Sequence, residues 1–281
     1  GNVTNLENNW LYAAGVNHPE KRKPYDGIST VPGPSGLWFN ALGHRIGPNP
    51  LYSYANSQWL VNSILNEPGG YTWCIMNRKI ALKELNVSLS RYFTAIRKKS
   101  TLLLLKNTIF GDPVRIDTLL SESPEDFFMA DSLSQLVEKM NKKSLFGFKI
   151  DEQRLTSEVR FYDAQIDRGP SFHNDDQLRR IASYRKYLPA RLQFCKNQKI
   201  EDPKAGPLIA LRAFLISRKS LGGIQTNLEC RVLKKDGTPF ERIYAIGEAA
   251  GFGGGGIHGK ASPEGTFLGS CILTAITFAR H

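Results

Sequence analysis

Between Ile243 and Cys271 the chain reads IYAIGEAAGFGGGGIHGKASPEGTFLGSC, a stretch crowded with glycine, four of them in a row from Gly253 to Gly256. Glycine gives up more backbone freedom on folding than any other residue, so such a run argues against a regular helix or strand across it. A strand-like segment ending in Tyr-Ala-Ile-Gly-Glu leads in, and an apolar stretch with small residues, of helical character, leads out from Gly265. A helix start presents unpaired N–H groups and a partial positive charge. That suits an anion or an electron-rich carbonyl. An acid, Glu248, and a histidine, His258, stand within the passage. The spacing does not match the phosphate-binding fingerprints, because no Gly-Lys-Ser/Thr follows and no acidic ribose-binding residue stands about 20 residues on. The plain alternative is a surface loop.

Length and composition set the frame. At 281 residues the chain is one large domain or two ordinary ones, and 41% hydrophobic with 22% charged residues allows a sizeable core. The net charge is +11. A nucleic-acid or anionic-membrane partner is one reading of that balance. The scatter of Lys and Arg favours an ordinary basic surface, and the short clusters at 21–23, 97–99 and 218–220 lack the aromatic interleaving of a single-strand binder. No nucleic acid is expected. Cys74, Cys195, Cys230 and Cys271 form no CxxC pair, so reduced thiols in a cytoplasmic protein are expected, without metal or disulfide framework. No run of 18 apolar residues exists to span a membrane.

Along the chain, residues 1–36 read as irregular connection, rich in Asn, Pro and Gly. Residues 37–46 read as strand, turn at Asn40–Gly43, strand. Residues 52–67 read as a helix stopped by Pro68, 71–77 as a buried strand, and the basic stretch from Arg78 to Ser100 as partly helical. A helix over 129–141, capped by Asp131 or Ser132, places Leu133, Leu136, Val137 and Met140 on one face. A second over 151–169 does the same with Leu155, Val159, Tyr162 and Ile166. Residues 208–216 have the length and apolarity of a strand. Residues 222–248 read as two strands about a Lys234–Gly237 turn, and 265–280 as a helix.

The series Leu221-Gly222-Gly223-Ile224-Gln225-Thr226-Asn227, Val232-Leu233, Asp236-Gly237, Tyr244-Ala245-Ile246-Gly247-Glu248-Ala249-Ala250-Gly251 and His258-Gly259 resembles the C-terminal flavin-binding signature of the fumarate reductase/succinate dehydrogenase/3-ketosteroid dehydrogenase flavoprotein superfamily. Its four-glycine form is closest to the bacterial FAD-binding dehydrogenases. Upstream, 33–46, 71–80 and 129–166 resemble cap segments of that family, so the likeness covers most of the chain. The resemblance implies an α+β fold: a substrate cap of mixed helices and sheet, plus the C-terminal segment of a FAD-binding α/β domain. It divides the chain into a lead-in over 1–30, a cap over 31–218 and a FAD-domain segment over 219–281. It implies FAD as cofactor, with Glu248 accepting a hydrogen bond from a sugar hydroxyl. Gly222, Gly223, Gly247, Gly255 and Gly256 would lie against the cofactor, and the N–H groups of Gly265, Thr266, Phe267 and Leu268 would face the flavin N1/C2 edge, where a helix dipole stabilises the reduced ring.

The resemblance also bears on substrate. Where the fumarate reductases carry a histidine this chain has Lys219. Their substrate arginine falls on Ser262 and the proton-donating arginine of their cap near Ser53–Tyr54, with no arginine between Arg45 and Arg78. Dicarboxylate reduction is disfavoured on that ground. The tyrosine that ketosteroid dehydrogenases place before a proline is also absent, since Ser262 precedes Pro263. Tyr52, Tyr54 or Tyr71 could supply a phenol instead, with Tyr54 the first candidate, or be packed tyrosines. Arg218 and Lys219 are candidates to touch substrate or the flavin C4 carbonyl. His258 is either catalytic or a brace for its own loop.

No GxGxxG with an acid about 20 residues on occurs. In this superfamily that fingerprint belongs to the N-terminal half that grips the ADP moiety, so the chain is expected to correspond to the C-terminal half. Alone it should hold FAD weakly or not at all, show no turnover, and self-associate through exposed apolar strand edges. The parent activity implied is a FAD-dependent dehydrogenation of a C–C bond beside a carbonyl, on a small, steroid-like molecule. A fumarate reductase-like enzyme for small acids is the alternative, as is a non-catalytic association module or a subunit completed by a separate N-terminal FAD-binding half.

Overall fold

The computed structural model describes residues 1–20, 26–47, 57–88, 90–252 and 266–280. In chain order the strands and helices are β1 (Val3–Thr4), β2 (Asn9–Asn17), β3 (Gly27–Val31), β4 (Leu37–Phe39), α1 (Ser57–Leu65), β5 (Tyr71–Asn77), α2 (Arg78–Glu84), β6 (Asn86–Val87), α3 (Thr94–Arg97), α4 (Thr101–Phe110), α5 (Pro113–Glu122), β7 (Phe127–Ala130), α6 (Leu133–Lys142), α7 (Glu152–Asp167), α8 (Asp176–Tyr184), α9 (Leu188–Gln193), β8 (Leu208–Ser220), β9 (Gly223–Ile224), β10 (Arg231–Leu233), β11 (Pro239–Tyr244) and α10 (Thr266–Phe278). The fold is α+β, as expected. The chain forms two compact units. One is Ala13–Ile216. The other combines Gly1–Tyr12 with Ser217–His281.

The larger unit is organised by a sheet in the order β4-β5-β8-β2-β3-β6, with β7 also paired to β8. Strand β5 has all seven residues buried, which is why it reads as a continuous apolar run without alternation. It runs antiparallel to β8, from Tyr71 opposite Phe214 to Asn77 opposite Leu208. β7 is antiparallel to β8 as well, from Phe127 opposite Leu211 to Ala130 opposite Leu208. Trp38, Trp73, Tyr162, Leu60, Ile75 and Met76 are among the fully buried core side chains.

Helices pack where a stripe of apolar residues follows a polar cap. Ser132 caps α6 by accepting from the Gln135 amide, and Leu133, Leu136, Val137 and Met140 are buried as the spacing predicts. Asp151 caps α7, which buries Leu155, Val159 and Tyr162. Ile166 packs against the same core while partly exposed. The reading that starts the first of these helices at residue 129 is corrected: Met129 and Ala130 end β7, because they belong to the ladder with β8. The turn at 40–43 is held by Asn40, whose side-chain oxygen accepts from the Leu42 and His44 amides. β4 then meets the returning chain only as a bridge between Phe39 and Arg45.

The irregular reading of 1–36 is also corrected. Gly15, Val16 and Asn17 of β2 pair with Ser29, Ile28 and Gly27 of β3. Asn and Gly lower strand propensity, but sheet neighbours supply what propensity lacks. Between residues 101 and 128, and again between 176 and 193, helices α4, α5, α8 and α9 occupy segments for which the sequence reading gives no element.

Candidate functional site

The signature residues gather in the smaller unit. Strand β9 pairs with β1, with Val3 opposite Ile224 and Thr4 opposite Gly223. After β10 and β11, joined by a turn in which Asp236 accepts from the Thr238 amide and hydroxyl, the chain enters a short 3-10 helix over Gly247–Ala250. The Phe252 amide then donates to the Leu221 carbonyl at 2.8 Å. This closes the glycine pair against the end of the YAIGEAAG segment, although the whole β10–β11 hairpin lies between them in sequence.

The glycines are required there for close backbone approach. A Cβ on Gly222 would stand 2.2 Å from the Asn5 carbonyl oxygen, and one on Gly223 would stand 2.4 Å from the Gly251 amide nitrogen. Gly251 itself has φ +71°, a conformation side chains disfavour. The glycine pair is thus used to seat β1 and the 247–251 turn. On the side a Cβ would occupy, that space is filled by backbone. Gly247 donates its amide to the Thr274 hydroxyl on α10 at 3.0 Å, tying the 3-10 helix to α10.

A small aromatic cluster completes the frame. Trp10, Leu221, Phe252 and Phe267 are buried together, with Tyr12 packed alongside. Phe252 and Phe267 stack with centroids 4.6 Å apart, and Trp10 meets Phe267 edge-on at 5.3 Å. Over these rings lies the Lys219 ammonium, 4.4 Å from the Phe267 centroid and 5.7 Å from that of Trp10. Such placement attracts a cation to the ring faces and holds its charge in one place.

Of the candidate residues, the structure therefore brings together Lys219, Gly222, Gly223, Gly247, Glu248 and Phe267. Glu248 is exposed on the 3-10 helix, and Leu268 is exposed on the first turn of α10. Tyr54, Gly255, Gly256, His258 and Gly265 lie outside the described residues, as do the side chains of Arg218 and Thr266. Tyr71 is resolved as a packed tyrosine. It is fully buried. Its hydroxyl shares a hydrogen bond with Ser144 at 2.8 Å and accepts from the Leu145 amide at 3.2 Å. Among the described residues no group of three His, Cys, Asp or Glu could hold a metal, and no helix is long and apolar enough to cross a membrane.

Sequence reasoning missed Trp10, Phe252 and Thr274. Trp10 comes from the segment read as irregular, near the opposite end of the chain from its neighbours Lys219 and Phe267, and nothing local announces it. Phe252 could have been found as the one large side chain inside the glycine run. Thr274 could have been found as a polar interruption of the apolar helix.

The donor set suits a flavin nucleotide. An exposed carboxylate can accept from sugar hydroxyls. A cation fixed over aromatic rings and the start of a 13-residue helix both favour negative charge nearby.

Known proteins resemble the chain in sequence and in fold. The family described as FAD binding domain matches residues 10–268. A KsdD-like steroid dehydrogenase of Mycobacterium tuberculosis (strain CDC 1551 / Oshkosh) is 36% identical over 273 residues, 97% of this chain and 48% of that protein. Another of Mycolicibacterium smegmatis is 38% identical over 267 residues, 95% of this chain and 48% of that protein. The chain thus spans about half the length of these curated relatives. The solved structure of 3-ketosteroid delta1-dehydrogenase from Sterolibacterium denitrificans, in complex with 1,4-androstadiene-3,17-dione, aligns over all of this chain and 44% of that one, with a TM-score of 0.58 and 15% identity. That likeness is one of fold.

Proposed function

Because the chain belongs to the FAD-binding-domain family, we propose that it is the cap and C-terminal FAD-domain portion of a FAD-dependent dehydrogenase acting on a C–C bond beside a carbonyl, with a 3-ketosteroid-like substrate. The observation that carries this reading is the identity of 36% and 38% to KsdD-like steroid dehydrogenases along nearly the whole chain. The site is consistent with it. When bound, FAD supplies a two-electron acceptor for a hydride from carbon while the adjacent carbon gives up a proton.

This chain's residues provide holding and electrostatics. Glu248 would accept from a sugar hydroxyl of the cofactor. Lys219, fixed over Phe267 and Trp10, and the N-terminus of α10 would favour negative charge on a bound cofactor. Gly222, Gly223 and Gly251 fix these groups with respect to one another. The chain by itself, without a GxGxxG segment that has an acid about 20 residues on, holds FAD weakly and does not turn over. The fumarate-type reading fits less well, since Lys219 stands at its histidine position.

The test joins this chain to a Rossmann-type FAD-binding half and measures flavin absorbance and dye reduction. A yellow complex that reduces dye with a 3-ketosteroid and shows no fumarate reduction is expected. Fumarate turnover without steroid oxidation would overturn the substrate class. Stoichiometric flavin in the unjoined chain would overturn the need for a second half.

A further inference from the structure

Helix α4 carries its apolar stripe on the outside. Leu102, Leu105 and Ile109 recur at the spacing of one helical face, and they are 77%, 58% and 44% exposed, followed by Phe110 at 74%. The other side of the helix, with Leu104, Asn107 and Thr108, lines a cleft shared with Lys83, Phe93 and Arg115. A helix on a globular protein ordinarily turns such a stripe inward, and exposed apolar side chains in one contiguous stripe mark an interaction surface.

Charge selects the occupant. Residues 85–111 contain no Asp or Glu and five cations: Arg91, Arg97, Lys98, Lys99 and Lys106. Arg91 is taken by Glu20 and Glu122, while Arg97, Lys98, Lys99 and Lys106 are exposed. Of the acids on the adjoining α5, Asp117 is paired with Arg78 and Glu122 with Arg91. A second copy docking through this face would set like charges against one another. An anionic surface with an apolar interior meets both the stripe and the cations.

We propose that α4, with the Arg97–Lys99 turn that precedes it, docks on an anionic lipid bilayer, the helix lying in the interfacial plane with Leu102, Leu105, Ile109 and Phe110 inserted. Ten residues of helix are about 15 Å long, half the roughly 30 Å of hydrocarbon a span requires, so α4 rests on the membrane. The inference stands on α4 alone and is independent of the flavin reading.

The test is cosedimentation of the chain with vesicles of phosphatidylcholine, with or without phosphatidylglycerol. The chain should bind the phosphatidylglycerol-containing vesicles more tightly and release them as salt rises. Leu102→Asp with Ile109→Asp should reduce binding at least about tenfold. Lys98→Glu with Lys99→Glu should reduce it by at least about 30-fold on anionic vesicles and leave binding to phosphatidylcholine little changed. All four side chains are exposed, so the circular dichroism of both variants should match the parent. Absence of vesicle binding, or equal binding by the Leu102→Asp/Ile109→Asp variant, overturns the proposal. So does a concentration-dependent dimer that this variant abolishes in a chain that ignores vesicles, which would make a second copy the occupant.

Discussion

The unit over Ala13–Ile216 has a large core that encloses charge, while the unit of Gly1–Tyr12 with Ser217 onward has a small one. In the first, Asp126 and Arg212 are almost wholly buried. Asp126 Oδ1 accepts from Arg212 Nε at 3.1 Å and Nη2 at 2.9 Å. Its Oδ2 accepts from the Asn17 amide and side chain, both at 2.9 Å, and Arg212 Nη1 donates to the Lys143 carbonyl. In the second, the core among the described residues is a cluster of Trp10, Leu221, Phe252 and Phe267, and α10 shows Leu268 at 66%, Leu273 at 65% and Ile272 at 51% exposure. A unit that can desolvate and satisfy an ion pair has a complete interior. One whose most apolar helix faces outward on several sides is built to be covered, and on the reading proposed above the FAD-binding half covers it.

The largest expected effect tests the completeness of the first unit. Asp126→Ala leaves Arg212 buried without its partner and should cost about 3–5 kcal/mol, read as a lower urea midpoint. Replacing both residues by apolar ones of similar size should cost much less, because no charge is stranded. A loss below about 1 kcal/mol in the single variant would mean the pair is not held dry, and the contrast between the units would weaken.

Next comes the smaller unit's core. Trp10→Ala removes the ring that meets Phe267 and Lys219, and large-to-small changes of this kind cost about 3 kcal/mol. With so few core residues beside it, that loss should unfold the small unit. The other tryptophans, Trp38, Trp59 and Trp73, belong to the larger unit and should keep native emission. A concerted loss of all tryptophan signal would show the two units fold as one.

Smaller still is the effect at the proposed cofactor ligand. In the assembled, flavin-loaded protein, Glu248→Ala should weaken FAD by about 10- to 150-fold, the worth of one hydrogen bond to a charged group, with unchanged thermal stability of the apo form because the side chain is exposed. Unaltered FAD affinity would remove Glu248 from the site.

How far the sequence could be read follows the same division. β5, α6, α7, β8 and the β10–β11 hairpin were legible because each carries its own periodicity, cap or turn: Ser132 and Asp151 announce their helices, and Asp236-Gly237 its turn. α4 was not, because Leu102, Leu105 and Ile109 make a helical stripe that points away from the core, so apolar spacing there reports a surface. β2 and β3 were not, because Asn17, Gly15 and Gly27 gain their strand conformation from partners that local sequence does not contain. At the candidate site the flavin signature names Gly222, Gly223, Gly247 and Glu248 as candidates, all encoded within one stretch. Trp10 remained hidden because only the tertiary fold brings it beneath Lys219.

The smallest effect contrasts two glutamates. Glu248 is exposed, whereas Glu84 is buried and accepts from the Ser35 amide at 3.0 Å, the Ser35 hydroxyl at 2.8 Å and the Cys195 amide at 2.6 Å. Burial pushes the Glu84 carboxyl above its ordinary range, and those donors pull back only part of the way. Burial, and after it the charge of Glu84, likewise push up the thiols of Cys74 and Cys195. A folded-state value above the unfolded one means the folded chain keeps this proton after the unfolded chain has released it. The stabilising contribution is then fully present below the ordinary carboxylate value and is lost as pH rises through the folded one. Glu84→Gln cannot titrate, so the urea midpoint of the parent should fall relative to the variant as pH is raised across that window and hold a constant offset below it. A parent that gains on Glu84→Gln with rising pH would mean that the three donors outweigh burial and that the larger unit holds this carboxylate as an anion.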